Sequence, residues 1–148
     1  MTKIAAVNPL SDLPPNEKSF TIDVAEGDVT KRRSFGEFEC RCVLNLGQKS
    51  AADVHEARLN AGLGEGLREE TRVQHMVLAQ LGVRLTGAPD WWIATNGGAL
   101  LMDWNVAVEV YRQCIEAEKE WRLKVWGPPK VEGALKVTEA AEPEVATA

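Results

Sequence analysis

Residues 104–125 read as one long amphipathic helix, and their pattern constrains the rest of the chain. Set at about 100° per residue, Trp104, Val106, Ala107, Val108, Val110, Tyr111, Cys114, Ile115, Ala117, Trp121 and Val125 spread over an arc of roughly 200°. Asn105, Glu109, Arg112, Gln113, Glu116, Lys119 and Glu120 occupy the other side. So wide an arc needs more than one covering neighbour, which puts this helix at the centre of a core. Asp103 is the expected N-cap. Glu118 and Arg122 fall inside the arc, and their i, i+4 spacing predicts that they pair with each other. Such a pair is either a partly buried structural ion pair or a charged contact for a partner.

The cover comes first from a β pattern. Phe20, Ile22 and Val24 alternate with Ser19, Thr21 and Asp23; Phe38, Cys40, Cys42 and Leu44 alternate with Glu37, Glu39 and Arg41. Period 2 with polar residues on one side predicts an antiparallel pair with one wet face. The turn signal Glu26-Gly27-Asp28 lies between the two runs, as does the only basic run, Lys31-Arg32-Arg33, a solvated hairpin tip or a contact for nucleic acid or an acidic partner. From Ser50 the period becomes helical, with Ser50 and Asp53 as the expected cap. Gly62-x-Gly64-x-Gly66 interrupts this helix, and a second follows over about 67–82. Asp90-Trp91-Trp92-Ile93 is a short aromatic element, and Asn96-Gly97-Gly98 a turn.

These elements predict an α+β fold: an N-terminal antiparallel β-hairpin followed by three helices, the last the longest and central to the core. Residues 1–18, with Pro9, Pro14 and Pro15, form an expected extended arm; residues 19–126 form a single domain. Residues 127–148 open on Gly127-Pro128-Pro129, contain no aromatic residue and read as a disordered tail.

Composition narrows the function classes. The 148 residues carry a net charge of −5, which argues against nucleic-acid binding, since neutralising phosphates needs an excess of Lys and Arg. No run approaches the ~18 consecutive apolar residues of a membrane span. The N-terminus is a poor signal peptide, and three cysteines are too few for a disulfide framework. The expected location is therefore a reducing cytoplasm.

No catalytic, cofactor or metal site is expected. His55 and His75 fall on different helices, and Cys40, Cys42 and either histidine share no recognised zinc spacing. Cys40, Cys42 and Cys114 read as small apolar core residues. Glu37 with Glu39 and Glu69 with Glu70 read as solvated pairs, because nothing places them in a pocket. The glycine run lacks the Lys-Ser/Thr of a phosphate loop. The five tryptophans are more informative. Trp91 and Trp92 are consecutive, so their side chains point apart: one fills the core and the other tends to the surface. Trp126 ends the last helix and Leu123 projects from its polar side. Trp91 or Trp92 with Leu123 and Trp126 is the expected partner-binding surface, with ordinary core packing as the competing reading.

The order of elements, the Pro89-Asp90-Trp91-Trp92 element, and a final helix carrying Val110-Tyr111, Glu118 and Trp121-Arg122 before a proline-containing tail together resemble the tail assembly chaperones and related small tail proteins of long-tailed, siphovirus-like bacteriophages and prophages. The resemblance spans about residues 18–126. It implies a non-enzymatic protein that binds the helical tape-measure protein, recruits tail-tube subunits and stays in the host cytoplasm, with a homo-oligomer left open. The alternative is a structural virion subunit, such as a head–tail connector or tail accessory protein. A small regulatory domain or a carboxylate-dependent enzyme is a third reading, and it requires a closed polar pocket.

Overall fold

A computed structural model describes residue 6 and residues 8–25, 32–61 and 66–127. The chain falls into two compact units, one of residues 15–121 and one made of residues 1–14 with 122–148. The larger unit carries the sheet. Strand β1 (Lys18–Ala25) pairs antiparallel with β2 (Arg32–Cys40), which pairs on its other edge with the three-residue β3 (Leu85–Gly87), in the order β1-β2-β3. Helix α1 (Leu46–Asn60) and α2 (Glu69–Arg84) lie between β2 and β3; α3 (Asp90–Ala94) and α4 (Trp104–Trp126) follow. The fold class is α+β, with a β-hairpin first and the longest helix last, as the periodicity predicts. The expected turn at 26–28, Lys31, the glycines at 62 and 64, and nearly all of the 127–148 tail lie outside the described residues.

The alternation of the hairpin buries Ile22, Phe38 and Cys40 and leaves Ser19, Thr21 and Glu37 exposed. The pattern outlasts the strand: Cys42 and Leu44 are buried beyond the end of β2. Backbone bonds hold this extension. The Arg41 N–H donates to the Arg84 carbonyl at 2.7 Å, and the Asn16 side-chain amide donates to Val43 O at 2.9 Å and accepts from Val43 N at 2.7 Å. Asn16 thus substitutes for a neighbouring strand.

On α4 the buried stripe is Val106, Ala107, Val110, Cys114 and Ala117, with Trp104, Tyr111 and Trp121 packed at its margins. Val108 is exposed, so the covered face is narrower than the expected arc. α2 contributes Val77 and Leu81 to the same core, and the Tyr111 hydroxyl donates to the Met76 sulfur at 3.8 Å. α1 buries only Ala52 and is a peripheral cover.

Three boundaries differ from expectation. α1 begins at Leu46: Gln48 N donates to Asn45 Oδ1 at 2.9 Å and Asn45 N donates to Gln48 Oε1 at 3.0 Å, a capping box that outcompetes Ser50 and Asp53. α2 runs through Gly82 to Arg84, because Gly82 faces His55 of α1, where a side chain would crowd the two helices. The aromatic element is a fourth, five-residue helix. Asp103 does cap α4, accepting from Asn105 N at 3.0 Å.

Two glycines set how closely α3 approaches its neighbours. Gly36 has φ +112°, and a Cβ there would lie 2.8 Å from Pro89 Cγ. Gly98 has φ +95°, and a Cβ there would lie 2.8 Å from Trp92 Cη2. Both backbones sit in a region that favours glycine, and both contacts are below van der Waals separation. Gly98→Ala is expected to lower stability by about 2–4 kcal/mol, combining backbone strain with overpacking. Urea denaturation measures it, and a loss below about 1 kcal/mol would mean that Trp92 moves aside freely.

Candidate protein-interaction surface

The surface is built outward from an aromatic cluster. Phe38 stacks on Phe20 at 5.9 Å and meets Trp91 and Trp92 edge-on at 5.9 and 5.5 Å; the two indoles meet each other edge-on at 5.9 Å. In a helix, consecutive side chains splay by roughly 100°. Trp92 therefore turns into the core, where it is 5% exposed, while Trp91 stays half-buried at the margin. Trp92 drops out of the expected partner-binding set for this reason, and its neighbour keeps an accessible edge.

A β-bulge fixes Trp91. Ile22 pairs with Gly36 and Asp23 with Ser34, so Phe35 is an extra residue on β2. Its carbonyl accepts from Trp91 Nε1 at 2.9 Å, and its ring meets the indole edge-on at 6.4 Å. Next to this pair lies a groove of about 440 Å³, lined by Ser34, Phe35, Trp91, Leu101, Met102, Asp103 and Val106. Only Ser34 and Asp103 bring polar side chains to it.

The segment from α3 to α4 adds apolar surface. Ile93 is 70% exposed, Leu100 68%, and Met102 fully exposed. Met102 lines the groove, whereas Ile93 lines a separate recess with Leu81, Leu85 and Trp92. The segment is held in place rather than loose: Gly97 N donates to Trp92 O at 3.1 Å, Leu100 N to Thr95 O at 3.0 Å and Leu101 N to Gly98 O at 3.2 Å. Patterning did not single out these residues, because Leu100 and Met102 sit between elements where no period assigns a face.

In the other unit, Leu123 is 48% exposed and Trp126 79% exposed. Gly127 N donates to Leu123 O at 2.8 Å and closes the helix.

The charge inside the apolar arc has a partner that spacing could not reveal. Glu118 Oε1 accepts from Arg84 Nη2 at 3.4 Å, and Arg84 Nε donates to Gln80 Oε1 at 3.0 Å. Arg84 is buried, and its Nη1 finds no acceptor among the described residues. Lys18 of β1 forms a second cross-element ion pair, with Glu120. Next to Arg84, Cys40 and Cys114 are fully buried in the same core cluster. Interaction with the Cys114 side chain holds the Cys40 thiol below the ordinary thiol range, with burial opposing and Arg84 and Lys18 assisting. The same interaction, together with burial, pushes the Cys114 thiol far up.

Among the described residues no group of three or more His, Cys, Asp or Glu is placed to hold a metal ion. Glu37 and Glu39 line a shallow recess with Ser19, Phe38, Gly87 and Ala88, and Glu39 Oε1 accepts from the Thr86 hydroxyl at 3.1 Å. His75 Nδ1 lies 2.7 Å from Asn60 Oδ1, a tie between α2 and α1, and His55 is exposed. Arg33 is exposed. No described helix is long and apolar enough to cross a membrane. The chain matches no protein-family model, no curated protein and no solved structure.

Trp91→Phe keeps most of the ring contact and loses the Nε1 bond, so it should cost about 1 kcal/mol. The buried charge behaves asymmetrically. Glu118→Gln leaves Arg84 short of its carboxylate and should cost about 2 kcal/mol, whereas Arg84→Met removes the orphaned N–H along with the charge and should cost less. Urea denaturation of the three variants checks both statements; an Arg84→Met loss exceeding that of Glu118→Gln would contradict the second.

Proposed function

We propose that this chain is a protein-binding module whose client presents an apolar helical face, and that it acts as a tail assembly chaperone in phage morphogenesis. The observation that carries the binding reading is the groove of Phe35, Trp91, Leu101, Met102 and Val106, with Met102 fully exposed on it and the exposed Leu100 next to Leu101 in the chain. Helix-in-groove recognition uses such a surface: an aromatic floor, adaptable Met and Leu walls and a charged rim, here Asp103. The chaperone role rests on the resemblance of residues 18–126 to that family. On this reading the client is the tape-measure protein, kept from aggregating in the host cytoplasm until tail-tube subunits replace the chaperone. Moderate affinity suits displacement, and the groove of Phe35, Trp91, Leu101, Met102 and Val106 is open on one side rather than enclosed. Leu123 and Trp126 form a second apolar contact at the end of α4.

A structural virion subunit is the second reading. It is favoured by β1, whose outer edge has no partner strand among the described residues and is open to a neighbouring subunit's strand. Purified particles separate the two: a virion subunit is present in stoichiometric amount and a chaperone is absent.

The direct test is co-expression of the chain with the tape-measure and tail-tube proteins of its own source, followed by affinity capture and size exclusion. A complex with the tape-measure protein is expected. Leu100→Asp with Met102→Asp should abolish it while leaving stability within about 0.5 kcal/mol, as for surface changes elsewhere. A complex that forms equally well with that double variant would remove the groove from the account. Failure to capture either protein with the wild-type chain would remove the chaperone reading.

A further inference from the structure

The chain has three methionines, and the fold sets two of them in opposite chemical environments. Met76 on α2 is half-buried against the core, and the Tyr111 hydroxyl donates to its sulfur at 3.8 Å. That bond draws on the lone pair an oxidant would need. Met102 lies between α3 and α4, is fully exposed, and forms one wall of the groove with Trp91 and Leu101. Its thioether meets solvent directly. Met1 lies outside the described residues.

A sulfoxide at Met102 changes the chemistry of that wall. The thioether is apolar and polarizable, which suits an apolar client. The sulfoxide is polar and carries an acceptor oxygen that needs water or a donor when it is covered. The groove offers few donors. Asp103, next in the chain, brings a carboxylate, which accepts and does not donate. The Trp91 Nε1–H is already given to the Phe35 carbonyl. Among the lining side chains this leaves the Ser34 hydroxyl. An apolar helical face closing over the sulfoxide strips its water and returns little, a penalty that corresponds to about tenfold weaker binding or more. The core is untouched by the change, because Met102 is outside it.

We propose that Met102 is a peroxide-sensitive modification site and that its sulfoxide releases the client from the groove. The release rests on the client reading given above; the modification does not. A lone pair of the Met102 sulfur attacks one oxygen of hydrogen peroxide, the O–O bond breaks and an S–O bond forms. The departing hydroxide takes the proton from the transferred oxygen and leaves as water. The sulfur is oxidised by two electrons, and one peroxide is reduced to water. Methionine sulfoxide reductases return the thioether, so the change is reversible.

The experiment exposes the full chain to hydrogen peroxide, then alkylates it and digests it with trypsin. Cleavage after Lys3, Arg72, Arg84 and Arg112 places the methionines in separate peptides, 1–3, 73–84 and 85–112. Peptide 85–112 should gain one oxygen, located by fragmentation to Met102, while 73–84 lags behind it. Oxygen entering Met76 as fast as Met102 would overturn the site, as would oxygen on Trp91, Trp92 or Trp104 in place of Met102. The chain oxidised at Met102 is then titrated against the tape-measure protein of the same source. Affinity should fall about tenfold or more and return after treatment with both methionine sulfoxide reductases, with the urea midpoint unchanged. Bound client should in turn slow the oxidation of Met102. Met102→Leu should have the same affinity before and after peroxide, whatever that affinity is. Equal affinity of the reduced and oxidised wild-type chain would overturn the release and leave the client reading standing. No binding by the reduced chain would remove the client reading and the release together, and the peptide map would still decide the modification site.

Discussion

Phe38 lies in the core of the larger unit, fully buried on β2, with Phe20 stacked beside it and two indoles meeting it edge-on. Edge-to-face packing of this kind adds about 0.5–1.5 kcal/mol per pair beyond simple burial. Its structural consequence is larger than that sum. Phe38 is the point at which the sheet and α3 are joined, and the accessible groove inherits its shape from that joint. Trp92 faces inward, so Trp91 faces the margin; Phe35 bulges out of β2, so its carbonyl is free to hold the Trp91 indole. The groove is therefore a by-product of how the core closes.

The same closure demands room. Gly36 and Gly98 give up a side chain where Pro89 and Trp92 come within contact distance, and both take positive φ to do so. The rigid turn after α3 then carries Leu100 and Met102 outward on hydrogen-bonded backbone. Ordering costs for a client are lower on such a surface than on a mobile loop, because the protein's side has been fixed in advance by folding.

Legibility in the amino-acid sequence follows the physics of each part. The hairpin faces and the central role of the last helix were readable because burial there follows a strict period: Ile22 and Phe38 at period 2, and Val106, Val110, Cys114 and Ala117 at helical spacing. The split between Trp91 and Trp92 was readable as a split, but which indole faces inward depends on Gly98 and the Phe35 bulge, which are tertiary events. The Asn45–Gln48 capping box displaced the expected Ser50–Asp53 cap because Gln48 makes the reciprocal bond back to the Asn45 N–H, a role that Glu or Gln fills at this position and the shorter Asp53 does not. Arg84 was invisible: its partner Glu118 is 34 residues away, and nothing local marks an arginine as buried. The exposed Leu100 and Met102 were invisible for the opposite reason, since irregular segments carry no periodicity against which exposure can be judged.

The central claim is that residues 91–103 form a pre-shaped apolar surface for a helical client. Amide hydrogen exchange of the full chain, alone and with the tape-measure protein, tests it most directly. The account predicts that exchange slows across 91–103 and the neighbouring 34–36 on client addition, with α1 unchanged. Slowing confined to α1, with 91–103 exchanging at the same rate in both samples, would contradict it.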